Sequence, residues 1–204
     1  MKITLLKMQV QNPERVSVFV DNTYTFSLTI SEVLEYKLKK DVELTEADIA
    51  VYKKISEDGK LRSLVYEWLI GRPHSTKELK EYLYKKKIDK DLQEKLIAEF
   101  TSKGILSDQR FAEWSAERLL RKNKSARAVA NELRTKGIDS VTIQSVVSRE
   151  ETSDEAALKQ LIHKLSTRSR YADKKKLIAY LQTKGFRYAD IKAALEITEP
   201  EQEP

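Results

Sequence analysis

The sequence predicts a mainly α-helical protein that contains three tandem three-helix repeats and a small antiparallel β meander at its N-terminus. The repeats are indicated by a seven-residue segment, ELRTKGI at 132–138, which recurs as YLQTKGF at 180–186 and more weakly as YLYKKKI at 82–88. Successive copies are about 48–50 residues apart, a spacing typical of helical repeat arrays. The meander is indicated by the alternation of apolar residues within the first 44 residues.

The repeated segments belong to a longer shared pattern. In the windows 75–100, 125–150 and 173–198, apolar residues stand four and eight places after the first residue, and a Lys-Gly or Lys-Lys step follows. This pattern predicts a helix, a break and the start of a second helix, three times over. Short Leu- and Lys-rich helices can resemble each other by chance, but here the phase holds through the break as well. We therefore expect six equivalent apolar positions to be buried: Leu79, Leu83, Val129, Leu133, Leu177 and Leu181.

The first 44 residues differ from the rest of the chain. Residues 16–20 and 24–30 alternate apolar and other side chains, which is the period of half-buried strands. Asp21-Asn22 lies between them and tolerates a left-handed turn conformation. Residues 3–10 form a third candidate strand. A meander of this size is not stable alone, so we expect residues 1–44 to be an accessory element that packs against helices.

Two short helices are predicted between the meander and the repeats. Ser31 is the candidate N-cap of a helix through Leu38, and Thr45 is that of a helix through Glu57. Asp58-Gly59 is predicted to end the second of them, which makes residues 45–59 a linker helix.

The chain is predicted to be helical from Leu61 onward, with a capping box at 75–78 that starts one of the helices. The pattern divides this part into three-helix units at 60–106, 107–151 and 152–198. A single helix of this length is marginal in water, so packing must hold each unit together. Residues 199–204 are acidic and contain two Pro, which predicts a disordered tail.

The composition excludes several classes of protein. The 204 residues include no Cys, no apolar run near the roughly 20 residues of a membrane span and no signal-peptide pattern at the start. We therefore expect a cytoplasmic protein without membrane contact. The net charge is +6, and because the last nine residues hold four Glu and no base, residues 1–195 carry +10. A basic body favours a polyanion or an acidic protein surface as partner.

Residue patterns of catalytic and cofactor sites are missing from the sequence. Neither His74 nor His163 has a second His, a Cys or clustered carboxylates at metal-ligand spacing. The five Gly form no phosphate-binding loop. We therefore expect a protein that is not an enzyme and that binds no metal and no cofactor.

The remaining chemistry is a set of basic residues that recur at equivalent positions of the units. Stacked units would align these positions, which is how repeat proteins form extended binding surfaces. A run of Lys is more often a solvated face, and it is the recurrence that favours binding here. We call ten of these residues the basic stripe and predict that they contact the partner: Arg118, Arg121, Lys122, Lys124, Arg127, Arg134, Lys136, Lys174, Lys175 and Lys176.

Two other features bear on the same question. Lys85, Lys86 and Lys87 end the second helix of the first three-helix unit. Aromatic residues are candidates for base stacking. Because Trp68, Phe111 and Trp114 fall on apolar helical stripes, we predict that they pack in cores instead.

Three segments, in their order and spacing, resemble the RecX family of small regulators of the RecA recombinase. They are RPHS at 72–75, which leads into Glu78-Leu79, GILSDQRFA at 104–112, and ELRTKGI at 132–138. The resemblance covers about residues 60–198, and the meander resembles an extension found in some members. Many members carry Lys-Gly-Pro where this chain has Asn123-Lys124-Ser125, so we expect a different turn there.

The resemblance implies both a shape and a function. It implies three-helix units in an elongated curved array that binds RecA protein, along the groove of the RecA–DNA filament. It also implies modulation, usually inhibition, of strand exchange and ATPase activity, with no catalysis by the regulator itself. We expect the chain to act as a monomer.

Two alternatives stay open. Three-helix units resemble helix-turn-helix modules, so the chain could bind DNA directly. Against this, the predicted third helix of the second unit, SVTIQSVV at 140–147, offers only Gln144 and small hydroxyl residues for reading bases. The other alternative is a scaffold whose basic face is incidental.

Overall fold

The computed structural model describes residues 1–148 and 154–197. The predicted boundary at 151/152 and the predicted acidic tail lie outside these residues. The described residues divide into two compact units, of which the first is Met1–Arg72 and the second begins at Pro73. The first unit contains β1 (Ile3–Met8), β2 (Arg15–Val20), β3 (Thr23–Thr29), α1 (Ile30–Glu35) and α2 (Glu46–Ile70). The second contains α3 (Thr76–Lys85), α4 (Lys90–Ser102), α5 (Asp108–Leu120), α6 (Ala126–Thr135), α7 (Ser140–Val147), α8 (Asp154–Ser166), a 3-10 turn (Ser169–Tyr171), α9 (Lys174–Thr183) and α10 (Tyr188–Ile197).

The first unit is built on the predicted meander, which the structure confirms as an antiparallel sheet in the order β1-β2-β3. Asp21 and Asn22 adopt φ values of 46° and 66° in the turn between β2 and β3, as their position predicted. One face of the sheet supplies buried apolar side chains to a core that includes residues of α2 and of the connection before it. Its buried members are Ile3, Val18, Val20, Phe26, Leu28, Leu38, Leu44 and Ile49.

The predicted cap of the first helix was wrong, since Thr29 and not Ser31 caps α1. Thr29 Oγ1 accepts from the Glu32 N–H at 3.2 Å, and the Glu32 carboxylate accepts from the Thr29 N–H at 2.7 Å. This reciprocal capping box requires an acidic residue three places after the cap. Thr29 has Glu32 at that position, whereas Ser31 has Leu34.

The predicted helix end at Asp58-Gly59 was also wrong, because α2 continues for 25 residues from Glu46 to Ile70. The boundary predicted at residue 60 therefore falls inside a helix. Gly59 instead leaves space for Arg15, because a Cβ at position 59 would lie only 2.8 Å from Nη1 of Arg15. Arg15 is buried and donates to the carbonyl oxygens of Ser27 on β3 and Ser56 on α2, at 2.7 and 3.3 Å. Glycine thus lets α2 pass close to a buried guanidinium.

The second unit confirms the predicted burial of the repeat positions. Leu79, Leu83, Leu133 and Leu181 are fully buried, and Val129 and Leu177 are at most 5% exposed. Residues of α5–α7 share one apolar cluster, and residues of α8–α10 share another. The mainly helical fold and its apolar repeat are therefore as predicted from the 3.6-residue period.

The Lys-Gly and Lys-Lys steps end their helices in one way. Lys87, Gly137 and Gly185 have φ values of 56°, 80° and 96°, the left-handed conformation that closes a helix. The next residue then donates back to the carbonyl of the last buried Leu, as in Ile138 N–H to Leu133 O at 3.1 Å. Ile88 and Phe186 make the same bond to Leu83 and Leu181, at 3.3 and 3.4 Å.

These helix ends also join successive helix groups. Ser75, the N-cap of α3, donates its hydroxyl to the carbonyl of Lys136 at 2.9 Å. Fifty residues later, Ser125, the N-cap of α6, donates its N–H to the carbonyl of Lys184 at 2.9 Å. We call these two contacts the first and second junction. At both, the helix end of one repeat meets the helix start of the previous one.

An aspartate reinforces each junction. Asp108 accepts from the N–H of Thr76 at 2.7 Å, and Asp154 accepts from the N–H of Ala126 at 2.6 Å. Both acceptors stand beside a helix N-terminus, where unpaired N–H groups and the helix dipole favour a carboxylate. The two junctions therefore share the aspartate contact, although Ser75 donates its hydroxyl and Ser125 its backbone N–H.

The first prediction concerns the repeat core. Leu133→Ala should lower the free energy of unfolding by about 2–5 kcal/mol, since it leaves a cavity at a fully buried site. Val141→Ala is the control in the same helix group, because Val141 is 76% exposed and its truncation should change stability by less than about 0.5 kcal/mol. Thermal or denaturant unfolding measures both. Equal stability of the two variants would contradict the assigned core.

The second prediction concerns the second junction. A Cβ on Gly185 would overlap Ala128 Cβ and lie 2.7 Å from Ser125 Oγ, whereas one on Gly104 would meet nothing within 4 Å. Both residues have positive φ, so Ala is strained at either position by roughly 1 kcal/mol. Gly185→Ala should cost a further 1–3 kcal/mol or so through overpacking. If unfolding shows the two variants equally destabilised, the junction is not closely packed.

Candidate interaction surface

The positive charge is unevenly distributed between the two compact units. Residues 1–72 contain eleven basic and eleven acidic side chains, so the whole excess of six charges lies from Pro73 onward. Residues 154–195 alone hold ten Lys or Arg against four Asp or Glu. A surface for an anionic partner is thus expected on the helical second unit.

Two members of the basic stripe lie on α5 and at its end, and both have partners within the chain. Arg118 lies over the Trp114 ring, 5.1 Å from its centroid, and 3.7 Å from the Glu132 carboxylate. Arg121 pairs with Glu117 one turn earlier. Both side chains stay more than 40% exposed, so these ion pairs contribute little to stability and leave the cations accessible. Trp114 is partly buried and packs on the α5–α7 core, as predicted.

Two other members belong to the junctions. Nζ of Lys124 donates to the Thr183 carbonyl at 2.6 Å, at the end of α9. Nζ of Lys136 lies 2.9 Å from the Glu78 carboxylate, whose side chain is 11% exposed. Their ammonium groups therefore hold successive helix groups together, a role that the sequence did not reveal because it depends on contacts about 60 residues away.

One hydrogen bond of the predicted capping box at 75–78 is present: the Ser75 hydroxyl accepts from the N–H of Glu78 at 3.1 Å. The Glu78 carboxylate binds Lys136 and also Nδ1 of the buried His74 at 3.1 Å. His74 is thus part of the first junction.

The cations exposed along α6 form the most open part of the stripe. Lys122 and Arg127 have exposed side chains with no hydrogen bond or ion pair to the residues that the structure describes. Arg134 is also exposed and donates to the Asn131 amide oxygen at 2.8 Å. Of these three cations, Arg127 lines a groove of about 410 Å³. It is lined by Lys124, Arg127, Asn131, Thr135, Lys136 and Gly185, among others.

The structure does not place all ten stripe residues together. Lys174, Lys175 and Lys176 are exposed in the first turn of α9, whereas the other end of that ten-residue helix meets α6 at the second junction. A helix of this length spans about 15 Å, which separates the three lysines from the α6 groove. The stripe is therefore two patches, one on α5–α6 and one at the start of α9.

Sequence reasoning missed basic residues beside the second patch. Lys164 lies near the end of α8, and Arg168 and Arg170 lie at the 3-10 turn before α9; all three are exposed. The stripe was predicted from basic positions that recur between three-helix units, and Lys164 and Arg168 have no basic counterpart there, whereas Arg170 aligns with Lys122 and Arg72. The excess of basic over acidic residues in the third three-helix unit is the sequence signal that could have found them.

No set of three or more His, Asp or Glu residues is arranged to hold a metal ion within residues 1–148 and 154–197. None of the helices described combines the length and the apolar character needed to cross a membrane.

A third prediction separates junction lysines from exposed cations. Lys136→Met should lower the free energy of unfolding by about 1 kcal/mol, because the poorly solvated Glu78 carboxylate loses a charged partner. Arg127→Met removes the same charge from an exposed position and should change stability by less than about 0.5 kcal/mol. Chemical denaturation compares the two. A larger loss in the Arg127 variant would reverse the assigned roles.

Comparison with known proteins places these features in a family. The RecX N-terminal domain model matches residues 1–45, the second RecX three-helix domain matches 107–147 and the third matches 151–195. The regulatory protein RecX of Listeria monocytogenes EGD-e is 32% identical over 95% of this chain and 74% of its own length. That of Bacillus velezensis is 33% identical over 98% and 78%.

Solved structures agree on the fold. A crystal structure of regulatory protein RecX matches with a TM-score of 0.72 at 20% identity, over 96% of this chain and 98% of its own. The crystal structure of RecX from Lactobacillus salivarius matches with a TM-score of 0.55 at 21% identity, over 68% and 94%. The meander, the three-helix domains and the identity over most of the chain lead to one conclusion: this protein belongs to the RecX family of regulatory proteins.

Proposed function

We propose that this chain binds the RecA recombinase on DNA and lowers its strand-exchange and ATPase activity. Family membership supports a regulatory role. The observation that carries the choice of surface is the pair of exposed cations Lys122 and Arg127, whose side chains bind none of the residues that the structure describes, together with the groove that Arg127 lines. A recombinase filament on DNA is a large anionic polymer that such a surface can bind. A chain with this partner acts in the cytoplasm.

The contact is expected to be electrostatic and distributed. Single exposed charges contribute little to folding, so they are free to serve binding. Their summed field attracts an anionic filament and weakens as salt screens it. Inhibition of the RecA ATPase by the unmodified chain should therefore fade as the salt concentration rises. No chemical step is assigned to the regulator itself.

Direct sequence reading by a helix-turn-helix mode is less well supported. The exposed positions of α7 include Ser140, Val141 and Gln144, which offer little to base edges. The cations surround α6 and the start of α9 instead. Phosphate or protein contacts suit that distribution better than base contacts.

The fourth prediction tests the α5–α6 patch. Charge reversal of Arg121, Lys122 and Arg127 to Glu should leave the chain folded and weaken its inhibition of the RecA ATPase at least tenfold. The matched control reverses Lys39, Lys40 and Lys53, three exposed lysines of the neutral first unit, and should keep full inhibition. The measurement is RecA ATPase on single-stranded DNA against regulator concentration, with circular dichroism as the folding check.

Two outcomes would count against the proposal. Full inhibition by the Arg121, Lys122 and Arg127 variant would move the contact to another surface. Equal affinity of the unmodified chain for bare DNA and for RecA-coated DNA would favour direct DNA binding over recognition of the filament.

A further inference from the structure

The segment that joins α8 to α9 is strongly basic. We call residues 164–176 the α8–α9 corner. Thirteen residues there include six exposed cations and a single acid, Asp173, whose carboxylate accepts from the Lys175 N–H at 2.8 Å as the N-cap of α9. The six cations are Lys164, Arg168, Arg170, Lys174, Lys175 and Lys176.

Three of these cations lie in the first turn of a helix. Lys174, Lys175 and Lys176 fill the first turn of α9, which contains no acidic residue. The N-terminus of a helix carries partial positive charge, so cations there are unfavourable. The equivalent turn of α3 contains Glu78 instead. An external anion would relieve the repulsion at α9, because it would interact with the lysines and the helix dipole together.

The chemistry of the corner fits phosphate better than a protein surface. No large apolar side chain is exposed between Val141 and Tyr188 in the part of the chain that the structure describes. Tyr171 is half-buried against Tyr180, with ring centroids 5.1 Å apart, and Arg170 lies over it. Protein interfaces have an apolar core, whereas nucleic-acid interfaces are polar and strongly positive.

A second copy of the chain does not suit this corner. In the two junctions, a helix start receives the Lys-Gly step of the next repeat. The corresponding step of the first repeat is Lys86-Lys87, which would bring like charges against Lys174–Lys176. Head-to-tail association through these surfaces is therefore disfavoured by charge.

We propose that the α8–α9 corner binds the sugar–phosphate backbone of DNA without reading its sequence, while the α5–α6 patch faces the recombinase. This deepens the proposed function, on which it rests, by assigning the two patches to two components of one filament. Phosphate contacts position a protein on nucleic acid and make its affinity depend on salt.

The test measures binding of the full chain to fluorescent single-stranded DNA, without recombinase, over a range of salt concentrations. One variant changes Lys174, Lys175 and Lys176 to Gln. Its matched control changes Lys85, Lys86 and Lys87 to Gln, which removes the same charge from the end of α3. If each corner lysine contacts one phosphate, the slope of log K against log salt should be smaller in magnitude by about 2 for the variant than for the unmodified chain. The affinity of the variant for DNA at 0.1 M salt should then be lower roughly 100-fold. The control should bind within about twofold of the unmodified chain.

Stability gives an independent readout. The melting temperature of the Lys174, Lys175 and Lys176 variant should stay the same or rise, because unfavourable charges leave the helix N-terminus. A lower melting temperature would contradict the argument from charge placement. A second variant, Arg168→Gln with Arg170→Gln, leaves α9 unchanged and should also weaken DNA binding. Unchanged DNA binding by this variant would therefore count against the corner without any effect of the substitutions on α9.

The outcomes separate this inference from the proposed function. Equal DNA affinity in the corner variant and its control would overturn the inference, while RecA inhibition by the unmodified chain would still support the proposed function. If the corner variant instead loses binding to DNA-free RecA but keeps its affinity for DNA, the corner contacts an acidic protein surface, and the inference is overturned as well. DNA binding through the corner without any effect on RecA would uphold the corner and reject the proposed function.

Discussion

The second unit of this protein depends on one repeated contact, in which the Lys-Gly end of one helix meets the N-terminus of a helix in the preceding repeat. The helix end presents carbonyl oxygens, and the Ser cap at the helix start donates its hydroxyl or its N–H to one of them. The cap thus satisfies a carbonyl at a helix end, where carbonyls have no partner within the helix. Gly185 allows the two backbones to approach, since a side chain there would overlap Ala128. The first copy of the motif, which has no earlier copy to meet, carries Lys87 at this position.

This contact explains which parts of the fold could be predicted from the sequence. Leu133 and its five equivalents are buried because a 3.6-residue period alone determines the buried face of a helix. The break after each of these helices was also predicted, from the Lys-Gly or Lys-Lys step. The roles of Lys124 and Lys136 were not visible, because their ammonium groups bind carbonyl or carboxylate oxygens about 60 residues away. Gly59 was misread because its partner, Arg15, lies on a different element.

The surface was harder to predict than the core for a related reason. Equivalent positions in a repeat share backbone geometry, but an exposed side chain is free to differ between copies. Recurrence therefore found Arg127 and Lys175, and it missed Lys164 and Arg168, which have no basic counterparts. The structure divides the predicted stripe into two patches because the two ends of α9 lie about 15 Å apart. Two patches on separate helix groups suit a partner with more than one anionic component.

The central claim is that RecA filaments contact the helical second unit through its cations. Hydrogen–deuterium exchange of this chain, with and without RecA-coated DNA, tests it directly, because bound surfaces exchange more slowly. We expect slower exchange from the end of α5 through α6, and at the start of α9, with little change in the sheet of the first unit. Slower exchange confined to residues 1–72 would contradict it.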